Sequence, residues 1–477
     1  MEEYKINEII EATSGRIIQG DKNSIVHRIS IDSRTLIPGD LFFAIVGPHF
    51  DGHNFIVEAL NKGASGVVVC KEVENLLSKA KIRKNKIVIK VEDTLTALQD
   101  WASYYRNKFK TVNICITGSN GKTTTKEIIA HILSQKFPLL KSSGNYNNEI
   151  GIPLTLLQLN NSHKILVVEL GMRGLGEIKS LTSLVPPNLA VITNIGEAHI
   201  GLLGSKDNIF KAKMELLLSL DNNGIAILNR DDGYFPQMLE IVKDKKVITF
   251  GINNNSDVMA YNIKIISDRG MKFILKIKGT AEREMFIPLL GRYNIYNLIA
   301  AIAVALALKV EIKLIENKIS DFKPLDMHMY LNNFYNNIKI LNDSYNASPL
   351  SVKEALKTLT EVAQNHRKIA ILGNMLELGE KSDFYHREIG REAANLSIDF
   401  LITMGDKARL IAQSFLENKV KKDQVFSFDK NQIKCLTRKL CDLIEPEDYI
   451  LLKGSREMKM EKILQLLYEE YVKHNQA

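Results

Sequence analysis

The first hundred or so residues alternate short apolar runs with polar stretches, at 24–31, 40–46, 66–70 and 86–91, and close on an amphipathic stretch at 94–109. That pattern predicts a small α/β unit ending in a helix. From residue 111 the runs become wholly apolar, at 112–117, 165–170, 189–194, 225–229 and 247–250, with helical periodicity between them. Strands with two buried faces joined by helices predict a parallel sheet. Alternating strands at 258–266, 271–277 and 284–287 follow, and then an Ala-rich helix over 293–308. A last segment repeats the strand and helix pattern, with strands at 338–341, 368–372, 400–404 and 449–452, helices at 351–361 and 384–394, and a final helix running to 471. It reads as a second open α/β domain, Rossmann-like in layering.

A chain of 477 residues exceeds what one core sustains. Three domains are expected, at 1–108, 109–322 and 323–477. Lys and Arg total 63 against 55 Asp and Glu, a net charge of +8 spread without a basic run interleaved with aromatics. This argues for a solvated surface and against nucleic acid as a partner, while leaving room for a polyanionic substrate. Cys70, Cys115, Cys435 and Cys441 form no CxxC pair and read as buried, reduced thiols of a cytoplasmic protein. The charged N-terminus and the lack of a long apolar run predict neither secretion nor a membrane span.

The strongest chemical signal is Gly118-Ser119-Asn120-Gly121-Lys122-Thr123-Thr124, between an apolar strand and a helix expected to start near Thr123. Such a loop turns backbone N–H groups and a helix N-terminus toward phosphate, with Lys122 able to reach the β- and γ-phosphates and Thr123 a Mg²⁺ ion. The strict Walker form is not met, because Ile116 stands where its first glycine would be. Glu169, at the end of the next apolar strand, offers a hard oxygen where open α/β sheets place ligands. His199, after the following strand, reads equally well as a metal ligand or as an ordinary histidine.

These residues carry a family resemblance. Thr117–Thr125, residues 144–153, Glu169-Leu170-Gly171-Met172 and residues 291–297 resemble the Mur ligases along essentially the whole chain. Asp32-Ser33-Arg34, residues 40–44, Asp51-Gly52-His53, residues 342–347 and Lys453-Gly454-Ser455-Arg456 resemble the branch that adds D-alanyl-D-alanine. The resemblance implies an N-terminal domain for a UDP-sugar, a central P-loop ATPase-like domain and a C-terminal domain for the amine. It also implies the reaction: ATP phosphorylates the carboxylate of UDP-N-acetylmuramoyl-tripeptide, and D-alanyl-D-alanine attacks the acyl phosphate, in a monomeric enzyme of peptidoglycan precursor synthesis.

By the same carry-over, Glu169, His199 and Lys213 hold Mg²⁺ together with Thr123, Lys213 as a CO2-derived carbamate. An unmodified Lys213 pairing with phosphate, or Lys211 in its place, are the alternatives. Asn294 and Asn297 would meet the nucleotide, Asp343 and Asn346 would close over its ribose, and Ser33, Arg34 and Asn148 would hold the UDP substrate. One departure stands out: His328 lies near the place of the family's arginine, and a neutral imidazole cannot replace a permanent guanidinium charge. A tripeptide-forming or polyamide ligase is the nearest alternative, though no Asp-Asn-Pro-Arg segment is present. A P-loop nucleotide switch is the alternative from another class, and Asn317-Lys318-Ile319-Ser320 lacks the acidic residue of its guanine motif.

Overall fold

The computed structural model describes residues 3–47, 50–81, 83–418 and 421–476, with side chains described as far as 471. The chain forms two compact units, one of Met1–Cys115, Phe137–Gly171 and Ile178–Asn188, the other of Ile116–Lys136, Met172–Glu177 and Leu189–Ala477.

The first unit contains a five-stranded sheet in the order β1-β5-β4-β3-β2, from β1 (Arg16–Gln19), β2 (Ile29–Ser30), β3 (Leu41–Phe43), β4 (Gly66–Val69) and β5 (Ile87–Lys90). Only β1 runs antiparallel to its neighbour. Phe42, Val67 and Val69 bury one face of it against Ile56 and Leu60. Asp93 caps the following helix, Thr94–Arg106, by accepting from the Thr96 N–H, as short acidic side chains do at helix starts. In the same unit β6 (Val112–Thr117) lies beside β8 (Ile165–Glu169), which pairs in parallel with β7 (Leu139–Lys141).

In the second unit β9 (Leu189–Ile192), β10 (Ile225–Asn229) and β11 (Lys246–Gly251) are parallel and largely buried, which is why they read as unbroken apolar runs. They continue into β12 (Val258–Ile265), β13 (Met271–Ile277) and β14 (Arg283–Ile287), whose mutual pairings are antiparallel and whose burial alternates. The helix Arg292–Ala307 packs on the helix Lys122–Leu133 and is buried nearly all round, as its Ala-rich sequence requires.

The same unit holds a six-stranded sheet in the order β15-β16-β20-β17-β18-β19, from β15 (Tyr330–Asn333), β16 (Lys339–Asn342), β17 (Lys368–Gly373), β18 (Phe400–Met404), β19 (Val425–Phe428) and β20 (Tyr449–Lys453). All neighbours are parallel except β15 and β16. Successive strands from β16 to β19 step toward one edge, and β20 returns between β16 and β17. The reversal leaves a crevice at the carboxyl ends of β17 and β20, where open α/β sheets bind ligands.

β1, β7, β15 and β19 go beyond the strands expected from the sequence, and each is a sheet edge with no fully buried residue. A half-exposed edge produces no continuous apolar run, so its sequence signal is weak. The cysteines are all unpaired, as expected, but only Cys115 is buried. Cys70 and Cys441 are partly exposed and Cys435 faces solvent.

Candidate active site

β6 ends at Thr117, and the loop Gly118–Gly121 leads directly into the helix Lys122–Leu133. Both glycines are demanded by close approach: a Cβ on Gly118 would lie 1.8 Å from Thr193 Oγ1, and one on Gly121 2.2 Å from Asn297 Oδ1. Gly121 also has a left-handed φ of 83°. The end of β9 fastens the loop. The Ser119 N–H donates to the Asn194 carbonyl (3.0 Å), the Asn120 N–H to Asn194 Oδ1 (3.0 Å), and Thr193 Oγ1 to the Asn120 carbonyl (2.6 Å). Ser119 Oγ accepts from the Gly196 N–H at 2.8 Å. Gly121→Ala is expected to destabilise this region by about 2–3 kcal/mol, seen as faster amide exchange across the helix Lys122–Leu133; unchanged exchange would mean that the loop tolerates the methyl.

Lys122 Nζ donates to the Gly118 carbonyl at 2.8 Å and so lies over the loop. Asn120 Nδ2 is buried with no partner among the described residues. A native structure rarely leaves such a donor unmet, and an anion over the loop would satisfy it. The loop therefore fits a nucleotide phosphate both in backbone geometry and in this orphaned amide.

Asn294 and Asn297 are buried on the helix Arg292–Ala307 and serve the loop from below. Asn297 Oδ1 accepts from Thr125 Oγ1 at 3.2 Å, its Nδ2 donates to Asn294 Oδ1 at 2.9 Å, and Asn294 Nδ2 donates to the Leu290 carbonyl at 2.8 Å. The pair braces the phosphate loop and its helix through side-chain bonds that need no ligand.

Lys213 lies on the helix Lys206–Leu218, whose N-cap is Ser205. It is only 2% exposed, whereas Lys211 faces solvent, so burial separates the two lysines that sequence left as alternatives. Burial, reinforced by the nearby Lys122 cation, holds the Lys213 ammonium well below the usual lysine range. His199 stands just before the helix Ile200–Leu203 in a left-handed conformation (φ 69°), and its Nδ1 bonds Glu377 Oε2.

In the first unit, Glu169 is 3% exposed at the end of β8, and Asn147 Nδ2 donates to its Oε1 at 2.9 Å. Asn148 Oδ1 accepts from the Gly151 N–H at 2.9 Å, where the helix Gly151–Leu156 begins. Asn147, the residue beside it, is the one that orients the carboxylate. Ser33 is buried, its carbonyl accepting from Lys62 Nζ at 3.0 Å. The Arg34 side chain is 85% exposed and pairs with Asp32 at 2.7 Å, holding the Asp32 carboxyl down at about 2. An exposed pair of this kind adds little stability and leaves the guanidinium accessible to an anion.

Asp343 Oδ2 pairs with the buried Lys453 Nζ at 2.5 Å, its Oδ1 accepts from the Met329 N–H at 3.1 Å, and Lys453 also donates to the Asn346 carbonyl at 3.0 Å. The asparagine and aspartate read from sequence are thus tied to the lysine of the segment 453–456. His328 stacks on Tyr345, with ring centroids 4.4 Å apart. Sequence reasoning missed Asn147, Thr193, Asn194 and Ser348, whose roles depend on distant partners. Ser348 begins the helix Pro349–Ala363 with a capping box and donates to Asn120 Oδ1 at 2.9 Å. The small polar run before Pro349 was the one available sign of that cap.

Among the described residues no three or more His, Cys, Asp or Glu gather as a ready-made metal cage. Mg²⁺ does not need one, since phosphate oxygens and water usually complete its shell. Glu169 and Thr123 each carry a hard oxygen of the kind that ion takes.

Comparison with known proteins matches three successive stretches of the chain to domain families: residues 25–106 to "Mur ligase family, catalytic domain", 116–305 to "Mur ligase middle domain" and 327–456 to "Mur ligase, glutamate ligase domain". The UDP-N-acetylmuramoyl-tripeptide--D-alanyl-D-alanine ligase of Bacillus subtilis is 35% identical over 97% of this chain and 98% of its own. Its Escherichia coli counterpart is 32% identical over 92% and 93%. Among solved structures, MurF from Acinetobacter baumannii superposes with a TM-score of 0.87 at 30% identity, covering 98% of this chain and 99% of that one. The Thermotoga maritima MurF ligase in complex with ADP gives 0.81 at 25% identity, covering 94% and 99%. With a phosphate loop of this geometry and matches of this extent, the chain belongs to the Mur ligase family.

Proposed function

We propose that this chain joins D-alanyl-D-alanine to UDP-N-acetylmuramoyl-tripeptide with ATP, through an acyl phosphate, giving the UDP-muramoyl pentapeptide, ADP and phosphate. The observation that carries the reading is the loop Gly118–Gly121, braced from β9 and from the helix Arg292–Ala307, with a buried amide awaiting an anion. Relatives that bear this activity in their names align along nearly the whole chain, which supports the substrate pair.

The substrate carboxylate and the γ-phosphate are both anionic and repel. Lys122 and the loop amides offset that charge where it builds up. Thr123, Glu169, His199 and Lys213 are the residues we assign to Mg²⁺, Lys213 as a carbamate; the burial that pulls its ammonium below the usual lysine range supports the modification. When bound, the ion supplies charge neutralisation and alignment of the phosphate oxygens. We assign Arg34 to the diphosphate of the UDP-sugar, as its exposed fork of donors suits. Ser33 and Asn148 are assigned beside it, Asp343 and Asn346 to the ribose, and Asn294 and Asn297 to bracing the nucleotide loop.

The dipeptide is assigned to the C-terminal domain. A pocket of about 460 Å³ there lies beyond β17, β18 and β19 and is lined by Asn374, Gly405, Asp406, Asp429, Lys430 and Asn431. Carboxylates and an ammonium together suit a zwitterion. Domain boundaries at 1–108, 109–322 and 323–477 are supported by the three family matches, each of which falls inside one of them. Unpaired cysteines support a reducing, cytoplasmic location, and no helix among the described residues is long and apolar enough to cross a membrane.

The test is ATP-dependent phosphate release with UDP-muramoyl tripeptide, with and without D-alanyl-D-alanine, and the product mass. Release that needs both substrates and yields a pentapeptide is expected. ATP binding without that product would refute the substrate assignment and leave the nucleotide site standing.

A further inference from the structure

The segment between β17 and the helix Ser382–Asn395 is fixed at successive residues, although it is a loop. Asn374 Nδ2 donates to Asp406 Oδ1 (2.6 Å) and its Oδ1 accepts from the Ala408 N–H (2.8 Å). The Met375 N–H donates to Nε2 of the buried His386 (3.0 Å), and the Leu376 N–H to Ser455 Oγ (2.9 Å). The segment thus starts at the 460 Å³ pocket that Asn374 lines and at the crevice between β17 and β20.

It ends on His199. Glu377 Oε2 meets His199 Nδ1 at 2.5 Å, its Oε1 lies 3.4 Å from the Arg173 guanidinium, and its carbonyl accepts from the Gly201 N–H at 2.8 Å. Glu377 and Gly379 both take left-handed backbone, with φ of 59° and 55°. A Cβ on Gly201 would lie 2.3 Å from the Gly379 nitrogen, so the two chains touch backbone to backbone. A non-glycine residue held in that conformation is strained and persists only where its surroundings enforce it.

We propose that Glu377 is a positioning residue for His199: its carboxylate accepts a hydrogen bond from Nδ1–H, fixes the ring, and leaves the Nε2 lone pair for the cation, so that docking of the β17 segment prepares the metal site. A carboxylate on the second nitrogen is the usual partner of a metal-binding imidazole, because it sets the tautomer and the ring plane. Here that partner comes from a segment anchored at the opposite end to the pocket assigned to the amine. The arrangement links the two: a β17 segment displaced from its anchors cannot present Glu377 to His199. This rests on the metal assignment made for His199 above.

The experiment compares the full-length protein with Glu377→Ala and Glu377→Gln in two readouts. Long-range ¹⁵N–¹H spectra of the histidines report the His199 tautomer without metal, assigned against His199→Gln. Mn²⁺ titration in the presence of ADP, followed by the electron paramagnetic resonance of free Mn²⁺, reports metal affinity. In the native protein His199 is expected as the Nδ1–H tautomer. Glu377→Ala is expected to mix the tautomers and weaken Mn²⁺ binding about tenfold or more, while Glu377→Gln, which keeps an acceptor, recovers the tautomer and most of the affinity. An unchanged tautomer and equal Mn²⁺ affinity in all three proteins would overturn the proposal alone. Failure of the native protein to bind Mn²⁺ with ADP would overturn it together with the metal assignment.

Discussion

Lys122→Ala is expected to lower ligation about 1,000-fold while leaving the thermal midpoint within a few degrees of the native protein. The reason is local. Lys122 Nζ sits over the loop, bonded to the Gly118 carbonyl, where it can move onto a transferring phosphate. Removing it withdraws a positive charge at the moment when two anions are forced together. The loop itself keeps its bonds to Thr193, Asn194 and Gly196, so the fold survives. Phosphate release and a melting curve on the same preparation separate the two effects. Near-native turnover in the variant would remove Lys122 from the chemistry and with it the assignment of the loop.

Lys213→Met should be as severe for turnover, on the order of 1,000-fold, with stability unchanged or raised. Methionine fills the volume without an amine to desolvate, but it cannot become a carbamate. Two further readouts follow from the buried amine. ¹³C-bicarbonate should give a protein-bound carbamate resonance that the Met variant lacks. The second readout is pH-dependent. The folded pKa of Lys213 lies below that of the unfolded chain, so between the depressed folded value and about 10.4 unfolding takes up a proton. In the absence of CO2, stability should rise with pH across that window, and the Met variant should lack this contribution. Native-like turnover by Lys213→Met would exclude a carbamate role.

The nucleotide loop was legible in the sequence because its parts are contiguous. Seven successive residues build the turn, the helix start and the cation, and no distant partner is needed to recognise them. The need for glycine at 118 and 121 was legible as a turn, but its sharper cause was not. A Cβ there would strike Thr193 and Asn297, which are brought in from elsewhere in the chain. Asn294 and Asn297 illustrate the same limit. Their spacing on a helix announced a shared face, whereas only packing revealed that this face braces Thr125 and the loop.

The departure at His328 was visible as a missing charge, and the structure shows that its ring stacks on Tyr345. Lys211 and Lys213 are both lysines on one helix two residues apart, so composition and motif weigh them alike. Side chains two apart point to different faces of a helix, and of the two only Lys213 is buried.

By itself the sequence determined the elements whose signal is periodic and local: the buried parallel strands, the Ala-rich helix Arg292–Ala307, the phosphate loop and the family they spell out. Tertiary structure alone decided the edge strands β1, β7, β15 and β19, the burial of Lys213, the pairing of Asp343 with Lys453 and the hold of Glu377 on His199. The physical reason is common to all of them. An edge strand, a buried amine and a cross-chain carboxylate each take their character from neighbours remote in sequence, and a single chain read in order contains the residues but not their proximity.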